Sequence, residues 1–282
     1  MAKKMNNKPY PNWVGVILGF LLNGSAHFLA GQRAAGILWY FTISLTAIVG
    51  ALILVIPGEL SYVLSLILFL SSIALWLIML KQSYRPVKRI GIKGWLAVLV
   101  IYIILSFGGE MAFKQFIRPF NIESGAMIPS LMPGDQILSE SISYRLSDPK
   151  RGDIVVFNTS GINYSDIHQD SLFVKRIVGL PGETVQIKPP YLLINGDIVT
   201  EPAAIKSITT SSNGFVLAHN TISSKALLTD PEDTIRLGTN EYFTIGDNTA
   251  VSLDGRHYGS IKREQIYGKV SRIYWPISRI SK

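Results

Sequence analysis

The chain has 282 residues and no Cys, and 48% of it is hydrophobic against 16% charged. A soluble domain carries about 25% charge, so part of this chain is expected outside water. Its net charge is +8, but residues 1–113 hold nine basic and only two acidic residues (Glu59 and Glu110), which leaves 114–282 close to neutral. A basic excess gathered around apolar runs is no nucleic-acid footprint, and the lack of Cys excludes disulfides, thiolate nucleophiles and Cys-held metals.

In chain order, residues 13–30 are uncharged but interrupted by Asn23-Gly24-Ser25-Ala26-His27. Broken backbone inside a bilayer needs protein or water partners, so this stretch is expected to form a re-entrant or interfacial hairpin, with a full span as the alternative. Ser25 and His27 read as polar groups that satisfy the hairpin rather than as catalysts. Residues 37–56, 60–80 and 94–112 follow as apolar runs, long enough at ~1.5 Å per residue to cross a ~30 Å hydrocarbon core. Lys3, Lys4 and Lys8, and the five basic residues of 81–93, mark the cytoplasmic side. The turn at Pro57-Gly58-Glu59 then faces outward, and everything after 113 is extracytoplasmic. With Glu110 at an interface as the one ionised group in the spans, a transporter is disfavoured.

From Phe120 onward short β-rich runs alternate with turn signals such as Pro133-Gly134-Asp135, Pro181-Gly182-Glu183 and Asn195-Gly196-Asp197. Strands are expected at Gln136–Ser139, Asp153–Phe157, Phe173–Val178, Thr184–Ile187, Tyr191–Ile194, Tyr242–Ile245 and Ile273–Trp275. No helix of convincing length follows residue 114, and a Ser/Thr-rich insertion is expected across about 200–235. The fold class is thus a multi-span α-helical membrane region, 1–113, followed by an all-β extracytoplasmic domain, 114–282.

The four His residues lack metal-ligand spacing, so no metal is expected. No G-x-S-x-G elbow supports a Ser-His-Asp triad. Small, polar and glycine residues gather in three segments: 120–131 (FNIESGAMIPSL), 173–182 (FVKRIVGLPG) and 246–256 (GDNTAVSLDGR), with RGDIVVF at 151–157.

Together these segments resemble the bacterial type I signal peptidases, membrane-anchored serine proteases with a Ser/Lys dyad. The likeness covers roughly 114–275, and 124–131, 175–182 and 246–256 are similar to that family's S-x-S-M-x-P-T/S-L, K-R-x-V-G-L-P-G and G-D-N-x-x-x-S-x-D-S/G-R boxes. The resemblance implies Lys175 as general base, held neutral by apolar surroundings. It implies Ser124 as an oxyanion donor, on the same side of an extended strand as residue 126. Ser252 would orient the lysine, and Asp254 and Arg256 would form a supporting ion pair. Phe120, Ile122, Met127, Leu131 and Val174 would line shallow pockets for the small residues at the first and third positions before the cleaved bond.

The nucleophile position, fixed by Met127 and Pro129, is occupied by Ala126. A methyl group cannot attack a carbonyl, so the chain as written is expected not to cleave. Three readings of Ala126 stay open: a Ser→Ala version of an active enzyme, a non-cleaving homologue, or an enzyme using Ser124 or Ser130 after a strand shift. Thr249-Ala250-Val251 also replaces the family's usual Arg-Asp-Asn. The resemblance further implies no cofactor, signal peptides of exported preproteins and the lipid bilayer as partners, no nucleic acid, and a multi-pass place in the bacterial plasma membrane. A non-catalytic membrane-bound binder of signal peptides or translocation partners is the alternative.

Overall fold

The computed structural model describes residues 8–55, 59–88, 92, 94–101, 103–104, 116–211, 214–220 and 225–280, without the side chains of 54, 55, 59 and 62. The chain divides into two compact units, Met1–Lys114 and Gln115–Lys282.

In the first unit, α1 (Asn12–Leu21) and α2 (Ser25–Leu29) replace one continuous helix. The break falls at Gly24, whose φ of +79° suits glycine and whose Cα lies so close to α3 that a Cβ would come within 2.0 Å of the Gly36 carbonyl oxygen. The Leu18 carbonyl, which accepts the Leu22 N–H, also accepts the Ser25 hydroxyl at 2.6 Å, so Ser25 bridges the kink as expected. The buried nitrogens of His27, by contrast, make no hydrogen bond among the described residues. Next come α3 (Arg33–Val55) and α4 (Glu59–Gln82). Each contains a stretch long and apolar enough to cross a membrane, Arg33–Ile53 and Val63–Gln82. The expected outward turn at 57–58 lies outside the described residues. Of the third expected run, 94–101 is helical, whereas 105–112 lies outside the described residues.

The second unit is built on two antiparallel sheets. A seven-stranded sheet runs in the order β1-β2-β11-β3-β4-β9-β10: Ile117–Asn121, Gln136–Glu140, Ile266–Trp275, Ile154–Asn158, Leu172–Gly179, Glu241–Ile245 and Ile261–Lys262. The smaller sheet, β7-β6-β5-β8, comprises Asp197–Ile198, Tyr191–Ile194, Thr184–Lys188 and Thr234–Arg236. Alternation places Val185 and Ile187 of β5 inward, where they pack with Val178, Leu192, Ile205 and Phe243. β11 carries register shifts at three points, and such irregularities bend a strand; this one pairs with β2 along part of its length and β3 along another.

The insertion at 200–235 is less irregular than its composition suggests. It contains the helix Ala203–Thr209, whose Ile205 and Ile208 enter the core beneath the smaller sheet, and it runs into β8. Two apolar anchors three residues apart on one helical face outweigh the weak propensity of the flanking Ser and Thr.

Candidate active site

A cleft of about 800 Å³ in the second unit is bounded by β1, the turn after it, β3, the first half of β4 and the 251–253 segment. Ala126, Lys175, Ser124, Phe120, Ile122, Met127 and Val174 all line it. Leu131 does not: it is buried in the cluster of Ile122, Met127, Ile137, Val156 and Ile273 that forms the cleft's floor. Ser252 faces a neighbouring hollow, which shares Val251 and Leu253 with the cleft.

Lys175 sits where β4 passes from half-exposed to fully buried, its own residue exposure being 5%. Its Nζ lies 5.6 Å from the centre of the Phe173 ring, and it makes no ion pair or hydrogen bond among the described residues. Burial pushes the amine down to about 8 against the pull of Asp254; Arg256 adds to the depression and Asp247 opposes it. The flanking apolar residues that the sequence shows around Lys175 thus have the direct effect of favouring a neutral amine.

The backbone at 124–127 departs from the extended strand expected of it. β1 ends at Asn121, Ser124 is extended with φ −109° and ψ 155°, and Gly125–Met127 forms a 3₁₀ turn. Alternation along a strand therefore does not relate Ser124 to Ala126. The turn brings both to the cleft instead, because Ile128 N–H closes it onto Gly125 and the 246–248 loop clamps it from behind. In that clamp the Asn248 N–H donates to the Ala126 carbonyl at 3.0 Å, and the Asn248 side chain donates to the Gly125 carbonyl at 3.3 Å.

Gly246 is the point of closest approach. A Cβ there would lie 2.2 Å from Ser252 Oγ and 2.5 Å from the Ala126 carbonyl oxygen, so only glycine lets the 246–252 loop pack against the turn. Ser252 is 4% exposed, and its Oγ has no hydrogen-bond partner among the described residues, Lys175 included.

Two buried ion pairs stiffen the loop. Arg256 grips Asp254 through Nε at 2.8 Å and Nη2 at 2.9 Å, and it also donates to the carbonyls of Ser252 and Val216. Burial opposes ionisation of Asp254, but Arg256, together with Lys175 and the Gly246 N–H, outweighs it and holds the carboxyl below its usual range. The second pair, Arg176 with Asp247 at 2.7 and 2.6 Å, was not singled out from the sequence, although both residues lie within quoted motifs. Arg176 also donates to Ser130 Oγ at 3.0 Å, which commits that hydroxyl to the scaffold. At the divergent tripeptide, Thr249 is buried with its hydroxyl on the Gly214 carbonyl at 2.6 Å, while Val251 is 65% exposed at the mouth of the cleft. Among the described residues no group of His, Asp and Glu is arranged to hold a metal.

Comparison with known proteins gives a consistent picture. The family model described as signal peptidase, peptidase S26, matches residues 92–275. A protein of Synechocystis sp. named "Probable signal peptidase I-2" is 30% identical over 184 residues, which are 64% of this chain and 72% of its own. Signal peptidase IB of Staphylococcus aureus is 28% identical over 183 residues, covering 65% of this chain and 88% of that one. Signal peptidase I of Bacillus amyloliquefaciens is 29% identical over 207 residues, covering 72% and 99%. The solved signal peptidase I of Enterococcus faecalis aligns with 44% of this chain and 97% of its own at a TM-score of 0.32 and 25% identity.

Proposed function

The chain belongs to the signal peptidase family, peptidase S26, and from that premise we propose that it receives signal peptides of exported preproteins in the cleft of its second unit without cleaving them. The observation that carries this reading is the pairing, in one cleft, of a lysine amine lowered to about 8 with a methyl group where the hydroxyl should be. The base is ready and has nothing to deprotonate.

Each side chain then has a definite task. In an Ala126→Ser variant, Lys175 Nζ would take the proton of the new hydroxyl, its oxygen would attack the substrate carbonyl carbon, and the Ser124 hydroxyl would donate to the oxygen that becomes negative. As the peptide C–N bond broke, Lys175 would return the proton to the leaving amine and then activate the water that hydrolyses the ester. Ser252, whose buried Oγ is uncommitted, would orient the lysine, while the Asp254–Arg256 pair fixes the loop that carries it. Phe120, Ile122, Met127 and Val174 present shallow apolar walls suited to small side chains. The first unit anchors the protein: α3 and α4 cross the bilayer, and the second unit lies outside the cytoplasm.

The test is cleavage of a preprotein with Ala at the first and third positions before the bond, using the full chain in detergent or liposomes. The chain as written is expected to bind and not cut. Ala126→Ser is expected to cut, and adding Lys175→Met is expected to abolish cutting. Turnover by the chain as written, lost on Ser124→Ala, would overturn the assignment of position 126. A folded Ala126→Ser variant that stays inert would favour the purely binding reading, to which the Thr249–Val251 departure at the cleft mouth already points.

A further inference from the structure

Within the first unit, the α1–α2 hairpin, α3 and the helical stretch 94–101 form a groove of about 410 Å³. Phe28 and Leu29 of the hairpin, Ile37 and Phe41 of α3, and Ala97 opposite them line it, and its wall is almost entirely apolar. Ser25 also lines it, with its hydroxyl committed to the Leu18 carbonyl. Apolar cavities of this kind do not hold water, and an empty one forfeits the dispersion contacts of its lining. Inside a bilayer, the material at hand to fill it is an acyl chain.

One end of the groove is basic. Arg33 lies one turn before Ile37 on the same face of α3, at the head of the stripe that Ile37 and Phe41 continue into the groove. Its guanidinium stands 6.0 Å over the centre of the Phe28 ring and makes no hydrogen bond or ion pair among the described residues. The N–H edges of that planar fork are therefore open to an oxyanion. Lys88 reaches the same end: its backbone N–H donates to the Leu29 carbonyl at 3.3 Å, and the residue is exposed. The Arg85 side chain donates to Gln32, next to Arg33, and so ties the segment after α4 to the start of α3. No carboxylate opposes these cations. Among the described residues of this unit the one acid is Glu59, which begins α4. At ~1.5 Å per residue it stands roughly 35 Å from Gln82 at that helix's basic end.

The charge at the mouth selects between two amphiphiles that could enter from the bilayer. The apolar segment of a signal peptide follows a positively charged N-terminal stretch, which Arg33 and Lys88 would repel. A phospholipid with an anionic headgroup matches both halves, chain to groove and phosphate to cations. We propose that the groove binds one anionic phospholipid of the cytoplasmic leaflet, with an acyl chain between α3 and the 94–101 stretch and its phosphate on Arg33 and Lys88. The inference rests on the first unit lying in the bilayer with residues 81–93 on the cytoplasmic side.

The test is native mass spectrometry of the full chain in a non-ionic detergent, titrated with phosphatidylglycerol or phosphatidylcholine of identical acyl chains. Phosphatidylglycerol should bind about tenfold tighter, of the order that two interfacial cations supply. The preference should collapse towards one in Arg33→Gln/Lys88→Gln, which alters exposed side chains only. Ala97→Trp, which fills the groove, should weaken both lipids. Equal retention of the two lipids, or a preference that survives the double variant, would overturn the site. So would phosphatidylglycerol binding that is unchanged in both Ala97→Trp and Ile37→Trp, since the chain would then lie elsewhere. Displacement of the lipid by a peptide bearing a signal sequence would assign the groove to substrate, and the proposal falls. Release of the protein from membranes by alkaline carbonate would instead overturn the membrane reading of the first unit, and the lipid site with it.

Discussion

Replacing Lys175 by Met should stabilise the protein, and by an amount that depends on pH. The lysine is 5% exposed, and burial lowers it from an ordinary 10.5 to about 8. Folding therefore costs the protein the work of burying an ammonium that in the unfolded chain stays charged. At 1.36 kcal/mol per pH unit this is ~3 kcal/mol below pH 8. Because the folded-state value is the lower one, the unfolded chain binds more protons between pH 8 and 10.5. The penalty is thus nearly complete below pH 8 and is relieved as pH rises towards 10.5; about three-fifths of it should remain at pH 9 and about a quarter at pH 10. Met fills much the same volume and adds an offset that does not titrate, so the change with pH is the signature. Thermal unfolding of both full-length proteins in one detergent reads it out. For a unit of this size ~3 kcal/mol corresponds to roughly 6–12 °C in Tm. The Met variant should melt higher at pH 7 and lose most of that lead by pH 10. A lead that stays constant across this range, or a variant less stable at pH 7, would refute a buried, depressed Lys175.

Two further outcomes test the frame around the site. Asp254→Asn leaves Arg256 buried without its counter-charge, a loss of ~3–5 kcal/mol that chemical denaturation should register together with lost peptide binding; an unchanged midpoint would mean the pair is dispensable. Reporter fusions at residues 90 and 150 should report opposite sides of the membrane, and agreement between them would sink the proposed topology.

Much of this protein is readable in its local patterns. Thr184–Lys188 and Tyr191–Ile194 announce themselves because period-two alternation between core and surface is written directly into a strand. The long apolar runs behind α3 and α4 are equally plain, as is the polar interruption that becomes the kink at Gly24. The residues that meet at the cleft lie within recognisable motifs, and their chemistry follows from residue type. Elements stabilised from outside their own sequence were harder to see. β10 is two residues long and exists because Ile261 pairs with Tyr242, and the helix Ala203–Thr209 forms because a core receives Ile205 and Ile208.

The sequence alone therefore determined which side chains are available: a lysine among apolar neighbours, a methyl at position 126, and an acid and a base two residues apart at 254 and 256. Tertiary structure decided how they act. The 3₁₀ turn at Gly125–Met127 is held by Asn248, some 120 residues further on. The depressed amine arises from burial where β4 enters the sheet between β3 and β9. A local pattern reports the preference of one element for core or solvent. Desolvation and loop clamping depend on which distant segments the chain brings together, and no single window of sequence contains them.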